Sequence, residues 1–142
     1  MIQNFSQFNE SKSISVESIE EKIEDYFIDF IDEYNLDFLI QKGDMLNDVW
    51  IPESMIKDSI KLCNANNVEY VIKNGYQITF GKKDTIRQFE LEDMSDINID
   101  QLNIDLNKSI NRMISSIGGY KPLHIPKVSE KAWSIIFYII EI

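Results

Sequence analysis

Apolar and polar positions follow two rhythms along this chain, and the switches between them outline its elements. From Val16 the apolar residues Val16, Ile19, Ile23, Phe27, Phe30, Ile31 and Tyr34 recur at steps of three and four, while Glu20, Glu24, Asp25, Asp29, Asp32 and Glu33 fill the opposite face. That spacing predicts an amphipathic helix of about five turns. Ser18 with Glu21 three residues later fits a capping box, and Ser15 is a competing start. A second long helix follows from Ile99, Leu102, Leu106, Ile110, Met113 and Ile117, and Gly118-Gly119 supplies its stop.

Between these helices the rhythm shortens. Leu36 to Gln41 and Met45 to Ile51 read as strands joined at Lys42-Gly43-Asp44. Pro52 suits the first turn of a helix running to about Asn64, with Ile56, Ile60 and Cys63 on one face. Val68 to Lys73 and Tyr76 to Phe80 flank Asn74-Gly75, the pair a type I′ turn favours, so a hairpin is expected there. Thr85 to Leu91 adds a third strand to it. Pro122 and Pro126 bracket an extended segment at a sheet edge or in a loop. Trp133 to Ile142, apolar on both alternating faces, reads as a central strand covered on both sides.

This order predicts an α+β fold: a mainly antiparallel sheet with two long amphipathic helices packed on one face and a shorter third helix. The expected organisation is a single domain over residues 15–142, preceded by an N-terminal tail or short amphipathic segment at residues 1–14. A chain of 142 residues buries enough surface to fold without disulfides or a metal.

Composition narrows the chemistry. The chain is 44% apolar and 27% charged, as globular proteins are. No apolar run approaches the roughly 20 residues a membrane helix needs, and the N-terminus lacks a secretory pattern, so a cytoplasmic location is expected. One cysteine, Cys63, forms no internal disulfide, and with one histidine, His124, there is no Cys/His zinc set. No cofactor is expected. Isoleucine occurs 25 times, asparagine 12 times and alanine twice, a skew toward AT-rich codons that suggests a low-GC bacterium or its phage.

The net charge of −10 is uneven: residues 1–60 carry −10, 61–88 carry +3, 89–105 carry −6 and 106–142 carry +3. Nucleic-acid binding as the main activity needs a dominant basic footprint, so it is disfavoured except at a local patch.

Three motif-like stretches each lack a spacing, a residue or a partner that the chemistry needs. Gly75 to Lys83 has five residues between its glycines and Lys83 where a phosphate loop needs a hydroxyl. Asp96, Asn98 and Asp100 begin like a calcium loop, but Gln101 replaces the turn glycine and Asn107 the bidentate Glu, leaving an acidic helix start. Asp25, Asp29, Asp32 and Glu33 have no second acidic helix to complete a metal site and read as a solvated face. His124 has no partner near it in sequence, and Cys63 reads as core.

Phe5-Ser6-Gln7-Phe8-Asn9-Glu10-Ser11 resembles the capsid-targeting leader of internal head proteins of large tailed bacteriophages: two aromatics three apart, then a Glu before a small residue. The resemblance implies delivery into the procapsid and protease processing between Glu10 and Ser11. The other reading is an amphipathic tail that docks Phe5 and Phe8 on its own domain or on a partner.

The expected function is that of a non-enzymatic phage accessory or virion-associated protein acting by protein–protein binding, with a phage or host partner. One alternative is an acidic DNA mimic that offers Glu20, Glu24, Asp25, Asp29, Asp32 and Glu33 to a host DNA-binding or defence protein. Another is a small enzyme using His124 with carboxylates such as Glu69 or Glu90.

Overall fold

Two eleven-residue strands, β1 (Leu36–Leu46) and β3 (Ile72–Lys82), form the middle of the sheet. They pair antiparallel along their whole length, from Leu36 opposite Lys82 to Leu46 opposite Ile72. The computed structural model describes residues 18–82 and 93–142. Strand β2 (Val49–Pro52) extends the sheet beyond β1, while β5 (Ser134–Glu141) and β4 (Tyr120–Leu123) extend it beyond β3. The order is β2-β1-β3-β5-β4, every pair antiparallel. With helices α1 (Ile19–Tyr34), α2 (Ile56–Ala65) and α3 (Ile99–Ile117), this is the expected α+β fold.

The helix ends lie where local chemistry satisfies free backbone groups. Ser18 Oγ accepts from the Glu21 N–H at 3.2 Å and the Glu21 carboxylate accepts from the Ser18 N–H at 3.1 Å, a complete capping box. Asn35 ends α1 in the left-handed region, at φ 54°. Asn98 caps α3 by accepting from the Gln101 N–H at 3.2 Å, and Gly118 closes that helix at φ 64°.

Register sorts the strand residues onto two faces. Phe38, Ile40, Tyr76, Ile78, Phe80, Ile135, Phe137 and Ile139 share the face covered by α1 and α3. Phe27 of α1 anchors this core, its ring 5.2 to 6.3 Å from those of Phe30, Phe38, Phe80 and Phe137. Leu102, Leu106, Ile110 and Met113 supply the buried stripe of α3. Leu46, Val49 and Ile51, on the same face by register, line a groove with Ser59, Leu62 and Cys63 of α2.

Several local expectations change. Lys42-Gly43-Asp44 is no turn: β1 runs through it, and the chain reverses instead at Asn47 and Asp48, both left-handed at φ 48° and 66°. Those are the two positive φ angles that a tight hairpin needs. Nor do Asn74 and Gly75 turn. They lie inside β3, opposite Asp44 and Gly43, because pairing with both β1 and β5 outweighs a local turn preference.

Pro52 caps a 3-10 turn (Glu53–Met55) that precedes α2, and Cys63 is half-buried at the groove rather than in the core. Pro122 sits in edge strand β4, where its missing N–H leaves no ladder bond unmade. The most central strand is β3; β5 lies one place from the edge, and its outward Ile136 is 39% exposed. The expected strand at Thr85 to Leu91 lies outside the described residues.

Candidate functional site

The six carboxylates expected to face outward on the first helix do so. Glu20, Glu24, Asp25, Asp29, Asp32 and Glu33 are all exposed, while Ile23, Phe27 and Phe30 hold the other side of α1 in the core. The helix carries seven acidic residues and one lysine, Lys22. No ion pair among the described residues engages any of the six. Glu20 and Glu24, Asp25 and Asp29, and Asp29 and Glu33 are like charges at four-residue spacing, each pair opposing the helix by about 0.2–0.5 kcal/mol.

Beside this face runs a cleft between α1 and α3, lined by Asp29, Glu33, Tyr34, Asp105, Lys108 and Arg112. Tyr34 donates its hydroxyl to the Asp105 carboxylate at 2.5 Å, and Gln101 Nε2 donates to the same group at 2.9 Å. Burial, reinforced by the Asp105 contact, pushes the Tyr34 phenol well above its ordinary range. The Tyr34 hydroxyl, and after it Gln101, hold the Asp105 carboxyl below the usual carboxylate range. The arrangement ties the two long helices together and leaves Lys108 and Arg112 as the cleft's cations.

The opposite face of the sheet presents different chemistry, which the sequence reading did not find. Trp50 stands opposite Met45 on the β2 edge and reaches across Gly43, where an added Cβ would lie 2.6 Å from its Cζ2 atom. Its ring meets that of Tyr138 from β5 at 5.3 Å, and Tyr138 meets His124 edge-on at 6.0 Å. Gln77 Nε2 donates to the Tyr138 hydroxyl at 3.3 Å. Three rings thus form a diagonal ridge above the facing pair Gly43 and Gly75.

Next to the ridge is a hollow of about 420 Å³ floored by Met45, Leu123 and Ile140, with Lys73 and Lys121 among its lining residues. Neither lysine has an ion pair among the described residues. Its wall is fixed by Asn47, which donates from Nδ2 to the Glu69 carbonyl at 3.1 Å and accepts from the Val71 N–H at 2.8 Å. These partners are distant in sequence, and only strand register brings them together.

Other expected site residues fall elsewhere. Phe5, Phe8, Glu10, Ser11 and Glu90 lie outside the described residues. His124 is exposed, left-handed at φ 57°, and makes no hydrogen bond among the described residues. Glu69 is exposed in the segment before β3. Gly75 to Lys82 is strand, a geometry in which successive N–H groups point to opposite sides and cannot cradle a phosphate. Asp96 receives the Lys82 ammonium, and Asn98 is committed to its cap. Among the described residues no group of three or more His, Cys, Asp or Glu is placed to hold a metal ion, and no helix is long and apolar enough to cross a membrane.

Comparison of the chain with protein-family models, curated proteins and solved structures finds no match in any of the three.

Proposed function

We propose that the chain is a non-catalytic binding protein whose α1 face docks on a basic protein surface of the kind that otherwise holds nucleic acid. The observation that carries this reading is the line of charge along α1: six exposed carboxylates with no ion pair among the described residues, several of them like-charge pairs at four-residue spacing. Sixteen residues with a net charge of −6 give about one negative charge per 4 Å of axis, close to the roughly 3.4 Å per charge of one DNA strand. A surface built for phosphates meets a comparable line of charge.

The test is affinity capture with the full chain and with a variant carrying Glu24→Lys, Asp25→Lys, Asp29→Lys and Asp32→Lys. The expected result is a nucleic-acid-binding protein retained by the wild type at low salt, released at high salt and not retained by the variant. Capture that survives the reversal overturns the reading. The likeness of residues 5–11 to a capsid-targeting leader extends the proposal to a phage particle, with processing between Glu10 and Ser11. Mass spectrometry of purified particles that finds neither the intact nor the trimmed chain removes that extension.

A further inference from the structure

On a chain of net charge −10, two lysines converge on one hollow of the sheet face that carries none of the described helices. Lys73 comes from β3 and Lys121 from β4, and β5 separates their strands. Lys121 lies opposite Ile140, Ile140 opposite Gly75, and Lys73 is two residues along β3 from Gly75 on the same face. Strand spacing and rise therefore set the two lysine Cα atoms about 12 Å apart, with the side-chain-free Gly75 beside the floor between them. An anion seated over Ile140 is within reach of both ammonium groups. The two mildly basic stretches of the sequence, 61–88 and 106–142, each supply one of these lysines.

The hollow is apolar below, with Asp48 as the one carboxylate beside its two lysines, and the rings stand at the neighbouring register positions rather than in its lining. Met45 in its floor is the cross-strand partner of Trp50, and Leu123 is that of Tyr138. A ligand whose anionic group meets the lysines therefore carries any planar part onto the Trp50–Tyr138 ridge, where stacking is favourable for any flat ring. We infer that this face binds a phosphate joined to a nucleobase, held by Lys73 and Lys121 at the phosphate and by Trp50 and Tyr138 at the base. Free mononucleotide and single-stranded nucleic acid share that chemistry. The site lies across the sheet from α1, so it stands or falls independently of the proposed protein docking face.

Trp50 is its own reporter. In the full chain with Trp133→Phe, Trp50 is the only tryptophan, and its fluorescence is followed during titration with inorganic phosphate, a 5′-mononucleotide or a short oligothymidylate strand. The expected result is quenching by a base-bearing ligand and a loss of affinity of at least tenfold in Lys73→Glu/Lys121→Glu, whose fold is checked by circular dichroism. Two phosphate contacts on a single strand give a log–log salt slope of about −1.4, roughly a sevenfold loss for a fourfold rise in salt. Saturation by mononucleotide as tight as by the strand supports a small-molecule site, and strand binding at least tenfold tighter supports single-stranded nucleic acid. No quenching by either, equal affinity for inorganic phosphate, or binding indifferent to the two lysines overturns the inference. Lys73→Met/Lys121→Met, which removes the charges without reversing them, repeats the test should the first variant fail to fold.

Discussion

Gly43 and Gly75 face each other across β1 and β3, and neither position has room for a side chain. A Cβ on Gly43 would lie 2.4 Å from the Ile51 carbonyl oxygen and 2.6 Å from the Trp50 ring; one on Gly75 would lie 2.4 Å from the Ile139 carbonyl oxygen. Here glycine allows neighbouring strands and an aromatic ring to approach closely, in the middle of strands that would otherwise favour branched residues.

Gly43→Ala and Gly75→Ala should each therefore lower stability by about 1–3 kcal/mol, the usual range for forcing atoms into filled space. Urea denaturation measures it. Adding Trp50→Ala to Gly43→Ala should recover part of the loss and no more, since the Ile51 oxygen remains in the way. An unchanged midpoint in either glycine variant would contradict the close contact.

The turn between β1 and β2 should respond in the opposite sense. Asp48 adopts φ 66° with no glycine to ease it, so Asp48→Gly should stabilise by about 0.5 kcal/mol, the relief of left-handed strain less the added freedom of the unfolded chain. Asn47→Ala should cost about 2 kcal/mol, because it loses two side-chain hydrogen bonds to residues 69–71 at a left-handed position. Equal midpoints for the two variants would refute the turn geometry.

The contact between Tyr34 and Asp105 makes a prediction in pH. Asp105 has a depressed folded-state pKa, so its contribution is complete above the unfolded value of about 3.9 and is lost as pH falls through the folded one. The stability gap between wild type and Tyr34→Phe should be steady from neutral pH to about pH 4 and close below it. A gap that widens with acid would show that the hydroxyl does not hold the ionised carboxylate. Because Tyr34 is pushed upward, it stays protonated across this whole window.

Asp25 tests whether the acidic helix gives up stability for its charge. It sits four residues from both Glu21 and Asp29 and three from Lys22, so Asp25→Asn removes two like-charge pairs and one opposite-charge pair and should stabilise by about 0.2–0.5 kcal/mol at low salt, less at high salt. The same substitution should weaken capture of a basic partner. Destabilisation by Asp25→Asn would mean that the carboxylate has a favourable role in the fold itself.

The helices were legible because their signals are local. Ser18 with Glu21, the Ile23–Phe27–Phe30 stripe and Gly118 all act within a few residues of where they stand. The acidic face was legible for the same reason: once the buried stripe is known, the other side must face solvent. The strands were harder. Asn74-Gly75 carries the composition of a turn, and only its simultaneous pairing with Gly43 and Ile140 reveals a strand interior. The true turn at Asn47-Asp48 was hidden because it has no glycine and lies within an apolar run. Nothing near Trp50 in sequence points to Tyr138, or near Lys73 to Lys121, since these pairs exist only through the strand order.

That order also imposes a schedule on the chain as it is made. β3 takes one neighbour from before it and the other, β5, from beyond α3. While a ribosome is still producing α3, β1, β2 and β3 can already assemble, but one side of β3 has no mate and Phe27 lacks the ring of Phe137. The nascent intermediate therefore presents an unpaired edge flanked by Tyr76, Ile78 and Phe80 until β5 arrives, the interval in which a chaperone or a sister chain has its best opportunity to bind.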